Sequence, residues 1–216
     1  MAEPVKIDVW SDIACPWCYI GKRRLEAGLA AAAAPVEVEY RSFELAPDTP
    51  VDFQGSAVDF LVRHKRMSEA QVRSLIERVT QVAAGEGLDY DFDRVRHTNT
   101  VKAHQLLHFA KARGLQHEAK ERLLRAYFVE GRHIGRTEEL VLLAAEVGLD
   151  ADDVRRSLEG DEYLHAVRTD ERAATAYGIS AVPFFVIDGR YGVPGAQSAE
   201  TFAQAITRAA AEREAA

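Results

Sequence analysis

The sequence predicts an α/β fold in which a long helical segment interrupts a small sheet. Alternating apolar and polar residues predict strands over 5–9 and 36–43, and strand character returns near the end of the chain. From about 52 to 178, apolar residues recur at helical spacing instead. We therefore expect a split α/β core, residues 1–51 and 179–216, around an inserted all-α helical domain over 52–178.

The first three elements follow from short-range patterns. Residues 5–9 alternate in polarity and predict a strand. Apolar spacing and an alanine run over 20–34 predict a helix that stops before Pro35, because the residue before a proline disfavours helical geometry. Residues 36–43 predict the second strand. A strand-helix-strand unit this short implies parallel strands joined by a right-handed crossover.

Capping and turn signals organise the remaining elements. Ser68 and Gln71 form a capping-box pattern at the start of one helix of the insert. Asp188-Gly189 is a dipeptide typical of hairpin turns, and Ser198 is expected to cap the last helix. Glycines that end the helical runs are Gly85, Gly114, Gly131, Gly148 and Gly178.

Composition and charge are those of an ordinary globular chain. The 216 residues are 47% hydrophobic and 28% charged, which excludes disordered, collagen-like and disulfide-scaffold classes. A net charge of −7 argues against nucleic acid as a partner. The first residues lack a signal-peptide pattern, and no stretch reaches the ~18 apolar residues of a membrane span. We therefore expect a cytoplasmic protein that binds no membrane.

The two cysteines, Cys15 and Cys18, are separated by Pro16 and Trp17 and fall between the first strand and the first helix. Pro16 suits the first helical position, so Cys15 is expected at or beside the N-cap and Cys18 about one turn further on. The unpaired N–H groups and the positive end of the helix dipole should lower the pKa of Cys15 and favour its thiolate. Cys18 would then resolve a mixed disulfide.

A zinc site is the main alternative for these cysteines. His104 and His108 stand four residues apart on one helical face and complete a Cys2His2 set on paper. The chain has no second Cys-x-x-Cys, and histidines at such positions are more often ordinary polar helix residues. We therefore predict no metal and no organic cofactor.

Several segments together carry a family resemblance. They are, in chain order, the Cys15-Pro16-Trp17-Cys18 motif after the first strand, Phe43-Glu44-Leu45-Ala46-Pro47, Asn99-Thr100 with Ala103-His104, Glu130-Gly131 with Ile134-Gly135, and Val182-Pro183-Phe184-Phe185-Val186 with Gly195-Ala196-Gln197. Over roughly residues 5–210 the sequence resembles the DsbA-like branch of the thioredoxin superfamily, and within it the FrnE-like cytosolic dithiol oxidoreductases. The resemblance implies a thioredoxin-like fold with an inserted all-α helical domain.

The resemblance gives Pro183 a specific role. In thioredoxin-like folds this proline is cis and faces the Cys-x-x-Cys motif, and the backbone of the preceding residue, here Val182, pairs with the substrate chain. The alternative is an ordinary trans proline at the start of a strand. The resemblance also bears on the direction of the reaction: periplasmic DsbA enzymes carry a histidine between the cysteines where this chain has Trp17, so reductase or isomerase activity is expected rather than strong oxidation.

Three further residues have a functional and an ordinary interpretation. Glu44 follows the second strand at the edge expected to hold Cys15, so its carboxylate is either a proton acceptor for Cys18 or a solvated loop acid. Asp12 carries the same two interpretations with a weaker case. Trp17 either offers an apolar platform to a peptide or glutathione, or packs against the insert.

Asn99, Thr100 and His104 match the family pattern at the start of an insert helix and are candidates for substrate binding. Asn99 or Thr100 is also a good helix N-cap, which is the interpretation that the sequence favours.

The function predicted from these observations is a thiol:disulfide oxidoreductase or isomerase that acts on a disulfide-containing protein or a small thiol, with glutathione as a possible co-substrate. The alternative is a glutathione-dependent isomerase or transferase of the hydroxychromene carboxylate isomerase or kappa class, acting on an aromatic or polyketide substrate. In those enzymes the first cysteine position typically holds serine, so retention of both Cys15 and Cys18 favours the oxidoreductase.

Overall fold

The computed structural model describes residues 3–214, with side chains to residue 213; the remaining termini of the predicted core lie outside it. The strands are Val5–Ser11 (β1), Val36–Ser42 (β2), Phe184–Ile187 (β3) and Tyr191–Pro194 (β4). The helices of the described residues are Pro16–Ala31 (α1), Ala57–Lys65 (α2), Glu69–Gly85 (α3), Val101–Lys111 (α4), Gln116–Phe128 (α5), Thr137–Glu146 (α6), Ala151–Glu159 (α7), Leu164–Ala176 (α8) and Ala199–Glu214 (α9). The four strands form one sheet in the order β2-β1-β3-β4.

The sheet confirms the predicted parallel unit and the hairpin. β1 pairs with β2 in parallel, with Ser11 opposite Ser42, so the carboxyl ends of both strands lie at the same edge. β3 runs antiparallel to β1 and continues into β4. Asp188 and Gly189 make the turn with φ of 56° and 64°, the positive values that a tight hairpin turn requires.

Helices cover both faces of the sheet. Leu25 of α1 and Phe202 and Ile206 of α9 pack with the inward residues of β1 and β3 on one face. On the other face, Trp10 of β1 and Ala174 of α8 belong to a smaller buried cluster. Burial of each large side chain of this kind contributes about 1.5–3 kcal/mol. The sheet is therefore held rigidly behind the loop that carries the cysteines.

The close contact between α1 and α9 depends on Gly28. A Cβ atom at this position would lie 2.7 Å from the Cβ of Phe202 and 2.9 Å from the carbonyl oxygen of Ala199. Any other residue would therefore push the two helices apart.

The helices between β2 and β3 build a larger core, which continues into α1. Leu106, Phe109 and Leu124 belong to the same buried cluster as Ile13 and Tyr19 at the start of α1. This cluster crosses the predicted boundary between the sheet and the insert, and the division of the chain into two domains stays a prediction.

The end of the first helix differs from the sequence expectation, and the structure adds one helix that the sequence patterns did not separate. The first helix ends at Ala31, with Ala32 already extended, so the predicted continuation to residue 34 is wrong. Residues 32–34 therefore form a non-helical connection between α1 and Pro35. α2 is a separate helix that begins with a capping box of Ser56 and Asp59, and the predicted capping box of Ser68 and Gln71 opens α3.

Within residues 3–214, every helix is too short or too polar to cross a membrane.

Candidate active site

Cys15 and Cys18 lie at the junction of β1 and α1, as predicted. Cys15 is the N-cap residue of α1 with extended backbone angles, φ −93° and ψ 113°, and Pro16 follows it in the first turn. The amide of Cys18 donates a hydrogen bond to the carbonyl oxygen of Cys15 at 3.0 Å. Both thiols are free, and the two residues are 4% and 3% exposed.

Val182 and Pro183 face the first cysteine. The Val182–Pro183 peptide bond is cis, as the resemblance implied. The Cys15 thiol lies 3.5 Å from the carbonyl oxygen of Val182, within hydrogen-bond distance for sulfur. The contact between these segments is tight, because a Cβ at Gly21 on α1 would lie 3.0 Å from the Pro183 ring. The motif of β1–α1 and the motif before β3 therefore form one site.

The two thiols titrate as a pair, and the result differs from the sequence expectation. Interaction with the neighbouring Cys18 thiol, followed by burial, raises the pKa of Cys15. Burial opposes the change at Cys18, but hydrogen bonding with Cys15 and the positive charge of Lys120 lower the pKa of Cys18. The expectation that the helix N-terminus lowers the pKa of Cys15 is therefore wrong for this dithiol. The two buried sulfurs are coupled, and the pKa shifts run in opposite directions, upward for Cys15 and downward for Cys18.

Asp12 is a buried carboxylate that joins three segments. Its Oδ2 accepts a hydrogen bond from the amide of Leu45 at 2.8 Å, and its Oδ1 accepts one from the amide of Ala14 at 3.3 Å. His104 Nε2 lies 3.3 Å from the same Oδ1. Burial acts to raise the pKa of Asp12, but the interactions with His104 and Leu45 outweigh burial and lower it. Asp12 is 1% exposed, so the solvated-loop interpretation is wrong.

Glu44 is also buried, but it is bound elsewhere. Its side chain is 2% exposed and Oε1 accepts a hydrogen bond from Arg168 of α8 at 2.5 Å. Burial raises the pKa of Glu44 even though Arg168 acts in the opposite direction. The solvated-loop interpretation is wrong here too. The described contacts of Glu44 tie the loop after β2 to α8 and do not include Cys18.

An apolar cavity of about 610 Å³ opens beside the first cysteine. Its lining includes Cys15 and Val182 but not Cys18. Trp17 stands at its edge and is 39% exposed, as a platform residue would be. Apolar side chains from α2, α3, the segment before α4 and the end of α5 form the walls: Phe60, Leu61, Leu75, Ile76, Phe92 and Phe128. A ligand in this cavity would therefore meet Cys15 before Cys18.

Asn99 and Thr100 lie at the start of α4 and act locally. Asn99 Oδ1 accepts a hydrogen bond from the amide of Val101 at 2.9 Å, and its Nδ2 donates to the carbonyl oxygen of Pro47 at 2.9 Å. The N-cap residue of α4 is Thr100 and not Asn99, and the helix has no side-chain capping hydrogen bond. Asn99 instead binds the amide of the first helical residue and holds the loop after β2. Thr100 is buried and its side chain makes no capping hydrogen bond, but it lines the cavity.

The two histidines of the zinc alternative have separate partners. His104 contacts Asp12, whereas His108 Nε2 lies 3.1 Å from Asp170 Oδ2 and 3.1 Å from Ser42 Oγ. Within the described part of the chain, no three residues among His, Cys, Asp and Glu are grouped as metal ligands. His104 therefore acts as a neighbour of Asp12 in this structure.

The sequence analysis missed Lys120. This lysine of α5 is 1% exposed, and its charge is one of the influences on Cys18. A signal was present, because Lys120 falls between Gln116 and Leu124 on the buried stripe of an amphipathic helix. A lysine on such a stripe is unusual unless it is paired.

Comparison with known proteins identifies the family. The profile of the DSBA-like thioredoxin domain matches residues 6–207. The chain belongs to this family. A probable DsbA oxidoreductase from Streptomyces coelicolor is 42% identical, with a TM-score of 0.89 over 96% of this chain and 91% of that chain. The uncharacterized protein YwbO of Bacillus subtilis (strain 168) is 33% identical over 205 residues, 94% of this chain and 96% of that protein.

More distant DsbA-like structures share the fold. The cytosolic disulfide reductase DsbM from Pseudomonas aeruginosa has 20% identity and a TM-score of 0.61, covering 97% of each chain. A 2-hydroxychromene-2-carboxylate isomerase has 15% identity and a TM-score of 0.75, covering 97% of this chain and 98% of that chain. The thioredoxin-like fold with inserted helices is thus confirmed, and the FrnE-like subgroup stays a prediction.

Proposed function

We propose that this DsbA-like protein is a thiol:disulfide oxidoreductase in which Cys15 is the nucleophile and Cys18 the resolving thiol. The observation that carries the proposal is the pair of free thiols at the N-terminus of α1, with only the first sulfur lining the cavity and facing Val182. No metal or organic cofactor takes part in the proposed reaction. The oxidised enzyme is returned to the dithiol by a small thiol such as glutathione or by a dithiol protein.

The pKa order of the two thiols is compatible with this assignment. The shared charge of the resting pair is favoured on Cys18, but the buried sulfur does not reach the cavity. Transfer of the Cys15 proton to Cys18 gives the Cys15 thiolate, which attacks a substrate disulfide and releases the first substrate thiolate. Cys15 is then joined to the substrate in a mixed disulfide, and Cys18 carries a proton that it must lose before it can attack.

The cavity supports a substrate with an apolar group next to its disulfide. Its walls are mainly aliphatic and aromatic, and the basic side chains His64, Lys65 and Arg78 also line it. A disulfide-containing peptide segment or a small mixed disulfide fits this chemistry, with Trp17 as an apolar platform and the backbone of Val182 as a hydrogen-bonding edge. We propose that Pro183, Asn99, Thr100 and His104 contribute by holding these groups in place.

We further propose that the protein works as a reductase or isomerase in the cytoplasm. Trp17 replaces the histidine that stabilises the thiolate in strongly oxidising relatives. The negative net charge and the presence of only two cysteines suit a reducing compartment. A cytosolic disulfide reductase shares the fold.

The test is the reduction of insulin disulfides by purified variants with glutathione as the electron donor. Cys15→Ser should lose at least about a hundredfold in rate, because no other described thiol reaches the cavity. Cys18→Ser is the matched control: it should form the mixed disulfide with substrate and accumulate it. Full activity of Cys15→Ser would overturn the proposal.

A second candidate is favoured by the size and apolar character of the cavity. A volume of about 610 Å³ admits a small aromatic substrate with glutathione bound beside Val182. In this case the protein would be a glutathione-dependent isomerase or transferase and would not need Cys18. Turnover of a chromene carboxylate by Cys18→Ala, at the wild-type rate, would support this candidate over the oxidoreductase.

A further inference from the structure

His97 is a buried histidine beside the active-site cavity, and the reaction described above gives it no role. It lies in the segment before α4, is 8% exposed and lines the cavity together with Tyr127 of α5. Its Nδ1 lies 3.0 Å from the Tyr127 hydroxyl, whereas its Nε2 is buried without a hydrogen-bond partner among the described residues. Among the described residues that line the cavity, His97 is the one whose side chain leaves a buried polar atom unpaired.

Three aromatic side chains hold the imidazole ring in place. Phe60 of α2 stacks on it, with 3.4 Å between the ring centres and 25° between the ring planes. Phe53 meets the ring edge to face at 5.7 Å and 86°, and the Tyr127 hydroxyl contacts Nδ1. Neither phenylalanine can accept a conventional hydrogen bond, so the fold fixes the ring and leaves Nε2 without a polar neighbour.

The hydrogens of the His97–Tyr127 pair show what kind of partner is missing. Burial lowers the pKa of His97 to about 4, although Asp12 acts in the opposite direction, and burial raises the pKa of Tyr127. At neutral pH the imidazole therefore carries one N–H and the phenol keeps its proton. The phenol is the stronger acid and the imidazole nitrogen the stronger base, so the hydroxyl donates to Nδ1. The remaining hydrogen is on Nε2, which is a buried donor without an acceptor.

The neighbouring polar side chains of the cavity use their hydrogen bonds within the protein. Thr98 donates from Oγ1 to the carbonyl oxygen of Val51 at 2.7 Å. The Asp12 carboxylate accepts from the amides of Leu45 and Ala14. The walls contributed by α2 and α3 are mainly aliphatic and aromatic. The cavity thus combines a large apolar surface with one buried side-chain donor, a composition typical of sites that bind a mainly apolar ligand and orient it by one polar group.

We propose that the cavity takes an aromatic ligand that bears a carbonyl group, and that His97 Nε2 donates a hydrogen bond to the carbonyl oxygen. The inference names the substrate class of the proposed oxidoreductase and rests on that function: Cys15 lines the same cavity and would attack a disulfide attached to the aromatic group. His97 is then a specificity-determining residue that touches the substrate away from the reacting sulfur.

A carbonyl oxygen suits this position better than a carboxylate. The imidazole is neutral and buried, so it can offer a hydrogen bond but no compensating positive charge, and an anion beside it would lose its hydration. Nε2 is closed to bulk water, and Phe60 both stacks on the ring and lines the cavity. The aromatic part of the ligand therefore has to displace the half-buried Phe60 ring, which belongs to a helix with Ala57 as its one buried residue.

The first measurement compares two probes of nearly the same shape, acetylnaphthalene and ethylnaphthalene, by calorimetric titration of the reduced protein. The acetyl compound offers the acceptor and the ethyl compound does not. His97→Phe should weaken acetylnaphthalene about tenfold relative to ethylnaphthalene, because it removes the donor and keeps an aromatic ring. His97→Gln should retain most of the preference, since its amide nitrogen is as many bonds from Cα as Nε2.

His64 provides the matched control. This exposed histidine also stacks on Phe60, with 5.0 Å between the ring centres, and it lines the same cavity. His64→Gln should leave the ratio of the two dissociation constants within about twofold of wild type. An unchanged ratio in His97→Phe, or a preference that is lost in His64→Gln instead, would overturn the inference.

A second measurement uses the wild-type protein and so does not depend on the folding of a variant. Nitrogen-15 resonances of the imidazole should show the proton of His97 on Nε2, and acetylnaphthalene should shift the Nε2 resonance while ethylnaphthalene leaves it nearly unchanged. A proton on Nδ1, or equal shifts with both probes, would overturn the assignment of Nε2 as the donor.

Kinetics then connect the binding site to the reaction. The substrates are bis(para-acetylphenyl) disulfide and bis(para-ethylphenyl) disulfide, each compared between wild type and His97→Phe so that their intrinsic reactivities cancel. The variant should lose about tenfold in kcat/KM with the acetyl substrate and stay within about twofold with the ethyl substrate. An equal loss with both would overturn the specificity role and leave the oxidoreductase intact. Full activity of Cys15→Ser would overturn the oxidoreductase, whereas the binding preference for acetylnaphthalene would stand.

Discussion

Two neighbouring residues of α5, Lys120 and Glu121, both carry a charge that is shielded from water, but only Glu121 is paired with opposite charges. Glu121 is bound by Lys22, Arg23 and Tyr19, so its charge is satisfied by the first helix. Lys120 lies near the Tyr40 ring, is more deeply buried and finds no hydrogen-bond partner among the described residues.

The difference separates a residue that stabilises the fold from one that costs stability. Interaction with its partners lowers the pKa of Glu121 to about 2 although burial opposes the change, whereas burial lowers the pKa of Lys120 to about 8. A charge that stays unpaired at a cost is typical of sites where chemistry needs it. Substitutions along this stretch of α5 test whether the contrast is real.

The largest expected effect on stability is at Lys120. Lys120→Met should raise the free energy of unfolding of the reduced protein at neutral pH by about 3 kcal/mol, because the shift from 10.5 to about 8 measures the cost of burying the charge. Urea unfolding of wild type and variant measures the difference. Equal or lower stability of Lys120→Met would show that the ammonium group is paired in solution.

The advantage of Lys120→Met should disappear in alkaline solution. The pKa of Lys120 is lower in the folded than in the unfolded protein, so the unfolded chain binds more protons between about pH 8 and 10.5. Wild-type stability therefore rises relative to the variant across this window, and the cost is fully present below it. A constant difference from neutral to alkaline pH would contradict the assignment to Lys120.

Glu121→Gln should destabilise the protein by about 2 kcal/mol, because it leaves Lys22 and Arg23 with weaker partners in a half-buried position. The pKa of Glu121 is lowered on folding, so this stabilisation is present above about pH 4.5 and is lost as the pH falls through about 2. Acid unfolding of wild type and Glu121→Gln should converge in that range. A variant as stable as wild type at neutral pH would remove the contrast with Lys120.

Gln116→Leu removes the hydrogen bonds between α5 and β2 without changing a charge, so it separates the docking of α5 from the effects of Lys120 and Glu121. The amide and the carbonyl of Tyr40 would lose their partner, at a cost of about 1.5 kcal/mol. Thermal unfolding of wild type and Gln116→Leu measures this loss. A variant as stable as wild type would show that the two hydrogen bonds to Tyr40 contribute nothing to the docking of α5.

The smallest effect is expected at the exposed lysine used as a control. Lys111 pairs with Glu39 at the surface, and its side chain is 41% exposed. Lys111→Met should change the free energy of unfolding by less than about 0.5 kcal/mol in the same urea measurement. A large change would mean that loss of any lysine in this region alters the stability, and that the effect of Lys120→Met does not report burial.

Much of the fold was accessible from local patterns. The β1–α1–β2 unit, the hairpin at Asp188 and the capping box at Ser68 depend on periodicity and on residues that are close in the sequence. The position of Cys15 at the N-cap follows from Pro16 and the preceding strand. These elements can be predicted from the sequence because helix capping and turn formation depend on residues only a few positions apart.

Long-range electrostatics could not be predicted in the same way. Asp12 and Glu44 were both candidates for loop acids, but the fold buries both and gives them different partners, His104 and Arg168. The helix dipole suggested a thiolate on Cys15, while the buried pair favours it on Cys18. For the two carboxylates the deciding neighbour is supplied by a distant part of the chain. For the thiols it is mainly the other cysteine of the pair, with Lys120 as a smaller influence from a distant part of the chain.

The sequence by itself determined the class of fold and the position of the dithiol, because a strand, a proline-led helix and two cysteines one turn apart specify that geometry locally. Only the tertiary structure decided which charges act on the thiols. Lys120 lies about a hundred residues from Cys18 in the chain, and it reaches the site because Gln116 and Glu121 dock α5 on β2 and α1. A charge changes the chemistry of a thiol only when folding brings the two together out of water.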